Sequence, residues 1–238
     1  MKIDTVVLED IPFQPKFERI AKQLRVKEGS ANAEELRRLL EEAQAVVRPK
    51  ALYRVAYISS KTEESVSVDG QTFKSRVLRV NLEDVHRVFP YIATCGTELH
   101  DWRSSIDDML QGYYADTINE AALNAARQAL KTHLIEQYAL GRTATMNPGS
   151  LEDWPIREQR PLFALLGDPE ETIGVRLSDS MLMIPSKSVS GIRFPTEERF
   201  ESCQLCPREG CPSRKASYDE DLYEKKFSRS DGADETRP

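Results

Sequence analysis

The chain has 238 residues, 39% hydrophobic and 30% charged. That is enough apolar material for one large domain, with or without a small appendage, and too much for general disorder. Lys and Arg number 33 against 39 Asp and Glu, a net charge of −6, which speaks against a general nucleic-acid binder. No run of about eighteen apolar residues is present, so no membrane-spanning helix is expected. The start, MKIDTVVLEDIPF, carries acids where a signal peptide needs a basic start. A cytoplasmic protein is the expectation.

In chain order, residues 3–8 read as a short strand and 14–27 as a helix with Phe17, Ile20, Ala21 and Leu24 at helical spacing. Asn32 and Glu35 suggest a capping box opening a helix from 33 to 47, ended by Pro49. Residues 51–60 are β-like. The run SVSVDGQTFKSRVLRV alternates about Asp69-Gly70, a hairpin signal. Residues 82–88 read as a short helix before Pro90, and YIATCGTEL as a buried strand turning at Gly96. Helix is expected from 98 to 110. The stretch 112–140, rich in Ala and Leu, reads as the longest helix, stopped by Gly141. Residues 143–157 read as a loop and 155–166 as a helix with proline in its first turn, capped by Asp153. Residues 172–194 turn β-like, and a polar tail from Ser217 reads as disordered at its end.

Intermingled helices and strands with a hairpin predict an α+β fold with antiparallel pairing. The expected organisation is an N-terminal helical region (1–49) packed on a core (50–200), followed by a cysteine segment and tail (201–238). No P-loop, dinucleotide fingerprint, HExxH motif or repeat is present.

Three of the four cysteines cluster as Cys203-x2-Cys206-x4-Cys211. In a reducing compartment such spacing points to a metal, because thiolates two residues apart can grip one ion. Cys95, at the end of an apolar strand, is the expected fourth ligand. All-cysteine ligation suits zinc or an iron–sulfur cluster, and spacing does not choose between them. Arg208, Arg214 and Lys215 would offset the thiolate charge. The plain alternative is three free cysteines in a loop.

Three further segments carry a resemblance. They are Ala115-Asp116-Thr117-Ile118-Asn119-Glu120-Ala121 on the long helix, Pro148-Gly149 in the next loop, and Ser180-Met181-Leu182-Met183-Ile184-Pro185-Ser186-Lys187-Ser188-Val189-Ser190-Gly191. In order and spacing they resemble the activation (reactivation) domain of cobalamin-dependent methionine synthase, and still more its small stand-alone relatives. The resemblance spans roughly residues 50–195. It implies a curved antiparallel sheet flanked by helices. It also implies S-adenosylmethionine binding and docking on a corrinoid-carrying protein or methyltransferase, where the domain supports reductive remethylation of cobalamin held by that partner. Glu120 matches the family's acid, suited to a sulfonium or ammonium group. Thr145 and Ser150 stand where the family has an arginine and a tyrosine, and Arg142 lies three residues before Thr145.

The expected small-molecule site is therefore Glu120, Asn147, Gly149, Ser150, Lys187 and Ser188. For Glu120 and Asp116 the plain alternative is a solvated acidic stripe. For 148–155 it is a well-made loop around a buried Trp154, and for 186–191 a hairpin with its hydroxyls bonded to backbone. Three functions fit: an accessory protein of corrinoid-dependent methyl transfer, a metal-stapled interaction module without catalysis, or a small S-adenosylmethionine-dependent methyltransferase.

Overall fold

A computed structural model describes residues 4–211 and 214–228. The chain runs β1 (Val6–Leu8), α1 (Phe17–Leu24), α2 (Ala31–Val46), β2 (Lys50–Tyr53), β3 (Ala56–Lys61), β4 (Ser65–Val68), β5 (Gln71–Lys74), α3 (Arg76–Asn81), β6 (Arg87–Thr94), α4 (Thr97–Ser104) and α5 (Met109–Tyr138). It continues through β7 (Thr143–Met146), α6 (Gln159–Leu166), α7 (Pro169–Ile173), β8 (Arg176–Leu177), β9 (Met183–Ile184) and β10 (Ser188–Pro195). Short turns at Ser202–Leu205 and Tyr223–Phe227 follow. The tail beyond 228, expected to be disordered, lies outside the described residues.

Among these residues the main sheet has eight strands, and every pairing is antiparallel. β6 is its spine. Along one side β6 pairs first β3 and then β2, which are one bent run of chain. Along the other side it pairs β10, which pairs β7. Arg54 N–H donates to the Pro90 carbonyl at 3.2 Å where β3 gives way to β2. A proline is thereby seated inside a central strand.

Helices cover both faces. On one, Leu36, Leu39 and Ala43 of α2 and Ile118, Ala122, Ala126 and Leu130 of α5 pack on Tyr53, Phe89, Tyr91 and Ala93. On the other, Phe73, Ile192, Phe194 and Trp154 form a second cluster, joined by Phe200 and Phe227 from the C-terminal segment. Each fully buried Leu, Ile or Phe contributes about 1.5–3 kcal/mol. The fold is therefore α+β, with a mostly antiparallel sheet flanked by helices, as the sequence predicts. β1 pairs β2, and α1 and α2 share the first cluster, so the N-terminal region is built into the same core.

Several elements differ in detail. Ser30, not Asn32, caps α2 by accepting the Ala33 N–H at 3.3 Å, and Glu35 pairs with Arg38 instead. The hairpin turns at Asp69-Gly70, both at positive φ, but ends at Lys74. Residues 76–81 then form a helix, because Ser75 and Asp153 together satisfy its first-turn donors. Residues 82–88, expected as helix, turn and enter β6. Helix α4 stops at Ser104, and Asp108 caps a separate start for α5. α5 ends at Tyr138 with Ala139 in the left-handed region, ahead of Gly141. The expected loop 143–157 contains β7, and the expected β-like run from 172 begins on α7, capped by Asp168.

Candidate functional site

β10 is the strand on which the candidate site is built. Its register sets Gly191 opposite Tyr91 of β6, and Arg193 opposite both Phe89 of β6 and Thr145 of β7. Side chains alternate along a strand, so Val189, Gly191 and Arg193 share the face that carries α5. On α5, Asp116, Glu120, Leu123 and Arg127 fall in one stripe at three- and four-residue spacing. The candidate groove is bounded by this stripe and the β10–β7 edge.

At one end Lys187 Nζ lies 3.7 Å from Glu120, with the two side chains 30% and 37% exposed. An ion pair this open is worth at most about 1 kcal/mol, so either charge can turn to a ligand at low cost. Asp116 is not free in the same way: Arg103 holds it through two contacts of 3.2 Å.

In the middle, Asn147 donates to Tyr91 Oη at 2.9 Å and to the Ser190 carbonyl at 2.7 Å. A side chain at position 191 would lie 2.4 Å from Asn147 Nδ2 and from the Met146 carbonyl. Gly191 is thus what lets the amide lie flat on the sheet. Asn147 has both amide N–H groups engaged and its Oδ1 without a partner among the described residues.

The other expected residues serve mainly the frame. Gly149 has φ 83° and donates to the Trp154 carbonyl at 2.7 Å, closing a turn. Its missing side chain would meet Ile156, not the groove. Ser150 is exposed, its N–H bonded to the Asn147 carbonyl at 3.1 Å. Ser188 donates to Thr94 Oγ1 at 2.8 Å, which also accepts the Gly96 N–H at 3.2 Å. Arg142 donates to the Glu197 carbonyl at 2.9 Å, beyond the end of β10. Asp153 does not cap the helix that follows it. Its carboxylate takes the Arg76 and Val77 N–H groups of α3, each at 3.1 Å, and the Ser75 hydroxyl.

The cysteines fall in two places. Cys95 is fully buried in the α2–α5 cluster, and burial pushes its thiol up to about 12, so it stays neutral. Leu205, between Cys203 and Cys206, packs against the opposite cluster. There Arg214 gathers the segment, donating to the carbonyls of Cys203 and Cys206 at 3.1 Å each, while the Lys215 N–H points at Cys203 Sγ, 3.5 Å away. Among the described residues no group of three or more His, Cys, Asp or Glu side chains is placed to hold a metal ion. The structure thus separates Cys95 from the other three.

Residues the sequence reading passed over complete the groove: Tyr91, Arg127, Thr145 as a strand residue, and Arg193. For Thr145 and Arg193 the signal is the β7–β10 register, which is invisible while 143–146 reads as loop.

No family model and no curated protein matches the chain. Its architecture is that of an α+β domain with an antiparallel sheet flanked by helices. Among solved structures it is similar to one described as the MetH reactivation domain bound to AdoHcy, with a TM-score of 0.53. The match has 14% sequence identity and covers 84% of this chain and 82% of that one. The chain therefore has the fold of the MetH reactivation domain. No helix among the described residues is long and apolar enough to cross a membrane.

Proposed function

We propose that this protein is an accessory of corrinoid-dependent methyl transfer. In this reading it binds an S-adenosyl ligand in the groove between α5 and the β10–β7 edge and acts on a separate corrinoid-carrying protein. The observation that carries the reading is the Glu120–Lys187 pair beside the Asn147–Tyr91–Gly191 floor, on a fold shared with a domain that binds AdoHcy. Glu120 suits the cationic part of such a ligand, and Asn147 supplies an acceptor at the floor. Met109, Leu110 and Tyr113 are exposed at the start of α5, an apolar surface for the partner beside the groove. In the overall change a reductant supplies one electron to the partner's Co(II), S-adenosylmethionine gives its methyl group to that cobalt, and S-adenosylhomocysteine leaves.

The test is visible spectroscopy of a corrinoid-carrying methyltransferase held as Co(II), with a low-potential reductant and S-adenosylmethionine. The methylcobalt absorption should form only when this protein is added, and Glu120→Ala should slow it at least about tenfold, as expected for a lost charge-assisted contact. Formation at the same rate without the protein contradicts the reading.

A second proposal concerns Cys203, Cys206 and Cys211, which share one short segment tied by Arg214. These three take zinc or an iron–sulfur cluster, and the metal staples the C-terminal segment to the core. As the protein's only function, this would make it a non-catalytic interaction module.

A further inference from the structure

Arg193 is a cation without an anion. It lies on the groove face of β10, where its Nη1 donates to Thr143 Oγ1 at 2.9 Å. Its Nε is buried with no hydrogen-bond partner among the described residues. No carboxylate lies within ion-pair distance of it among the described residues; Glu201 acts on it only from farther off. Arg127 on α5 is near enough to repel it, and among the described residues Arg127 itself has only the neutral Asn124 as a partner. Burial is the main force pressing the guanidinium toward its neutral form; Arg127 adds to it, while Tyr91 and Glu201 oppose it.

A partly buried guanidinium is costly to place unless its donors are matched by an anion. With Arg127 close enough to add its positive charge to that of Arg193, and Glu120 and Lys187 balancing each other at the far end, this end of the groove has a net demand for negative charge. The planar fork of Arg193 matches a carboxylate in shape and can give it two hydrogen bonds.

We propose that Arg193 is the anchor for the amino-acid carboxylate of the groove's ligand, with Arg127 supporting it from the helix side. The inference rests on the ligand reading proposed above, and it specifies what that reading leaves open: a nucleoside bearing a free carboxylate is selected over one without. It also gives Thr145 a meaning. Thr145 is the cross-strand partner of Arg193, and directly opposed side chains start about 4.5–5.5 Å apart. An arginine at either position reaches the same space.

Calorimetry with two nucleosides tests this: AdoHcy, which carries the amino-acid end, and 5′-methylthioadenosine, which lacks it. The wild-type protein should prefer AdoHcy by about ten- to a hundredfold, the scale of a charge-assisted pair. Arg193→Thr should erase that preference and leave 5′-methylthioadenosine binding unchanged, which also reports an intact groove. Combining Arg193→Thr with Thr145→Arg should restore it. A preference that survives Arg193→Thr overturns the proposal. If the single variant loses both nucleosides, the swapped variant decides: a recovered preference upholds the anchor, and none overturns it. A wild-type protein that binds AdoHcy and 5′-methylthioadenosine equally overturns the anchor alone. One that binds neither overturns the ligand reading as well.

Discussion

At the scale of single residues, chemistry divides the cysteines. Cys95 is fully buried, and desolvation lifts its thiol from 9.0 to about 12. The folded state therefore favours the protonated thiol. The stability this gives is complete below about pH 9 and falls as pH rises from there toward 12, by about 1.4 kcal/mol per pH unit. Tyr53, buried and bonded to Tyr138, shifts the same way and steepens the alkaline loss. A thiolate is the reactive species, so a maleimide at pH 8 should spare Cys95 until denaturant is added. The other three are partly exposed. In protein purified without oxygen they should label only after a chelator or an oxidant releases the proposed metal. Three thiols that label at once, with no zinc or iron bound, contradict the metal proposal and leave the account of Cys95 intact.

At the scale of elements, Asp153 shows how a loop residue can determine a distant helix. α3 has six residues, too few to stand alone. Asp153, on the loop after β7, takes two of its first-turn N–H groups and the hydroxyl of its own cap. Asp153→Ala leaves those donors unmet and should cost about 1–3 kcal/mol in urea unfolding, with Asp153→Asn costing less. An unchanged midpoint would mean that α3 holds without it. This long-range cap also explains why 76–81 read as a continuation of the hairpin: the decisive partner is 77 residues away. Local signals were enough elsewhere. Asp69-Gly70 sets its turn, and the Ala/Leu run of α5 declares a long helix. β7 was not legible because the alternation of Thr143-Ala144-Thr145-Met146 is only four residues long and is fixed as a strand by pairing β10. Half of the groove was hidden with it. Glu120, Asn147 and Lys187 could be named from motif, whereas Arg193 and Thr145 meet only through register.

At the scale of the molecule, one strand organises both structure and site. β10 ties β6 to β7, packs Ile192 and Phe194 into the second cluster, and turns Gly191 and Arg193 to the opposite face beneath α5. A strand this committed to the core gives a rigid floor, and a ligand there needs little reorganisation. The central claim is that the α5–β10–β7 groove is a binding site for an S-adenosyl ligand. Amide hydrogen exchange of the whole chain with and without AdoHcy tests it most directly. The account predicts slowed exchange confined to segments 113–127, 143–150 and 187–193, with the cysteine segment 201–211 unchanged. Binding with protection elsewhere, or no protection at saturating ligand, would contradict it.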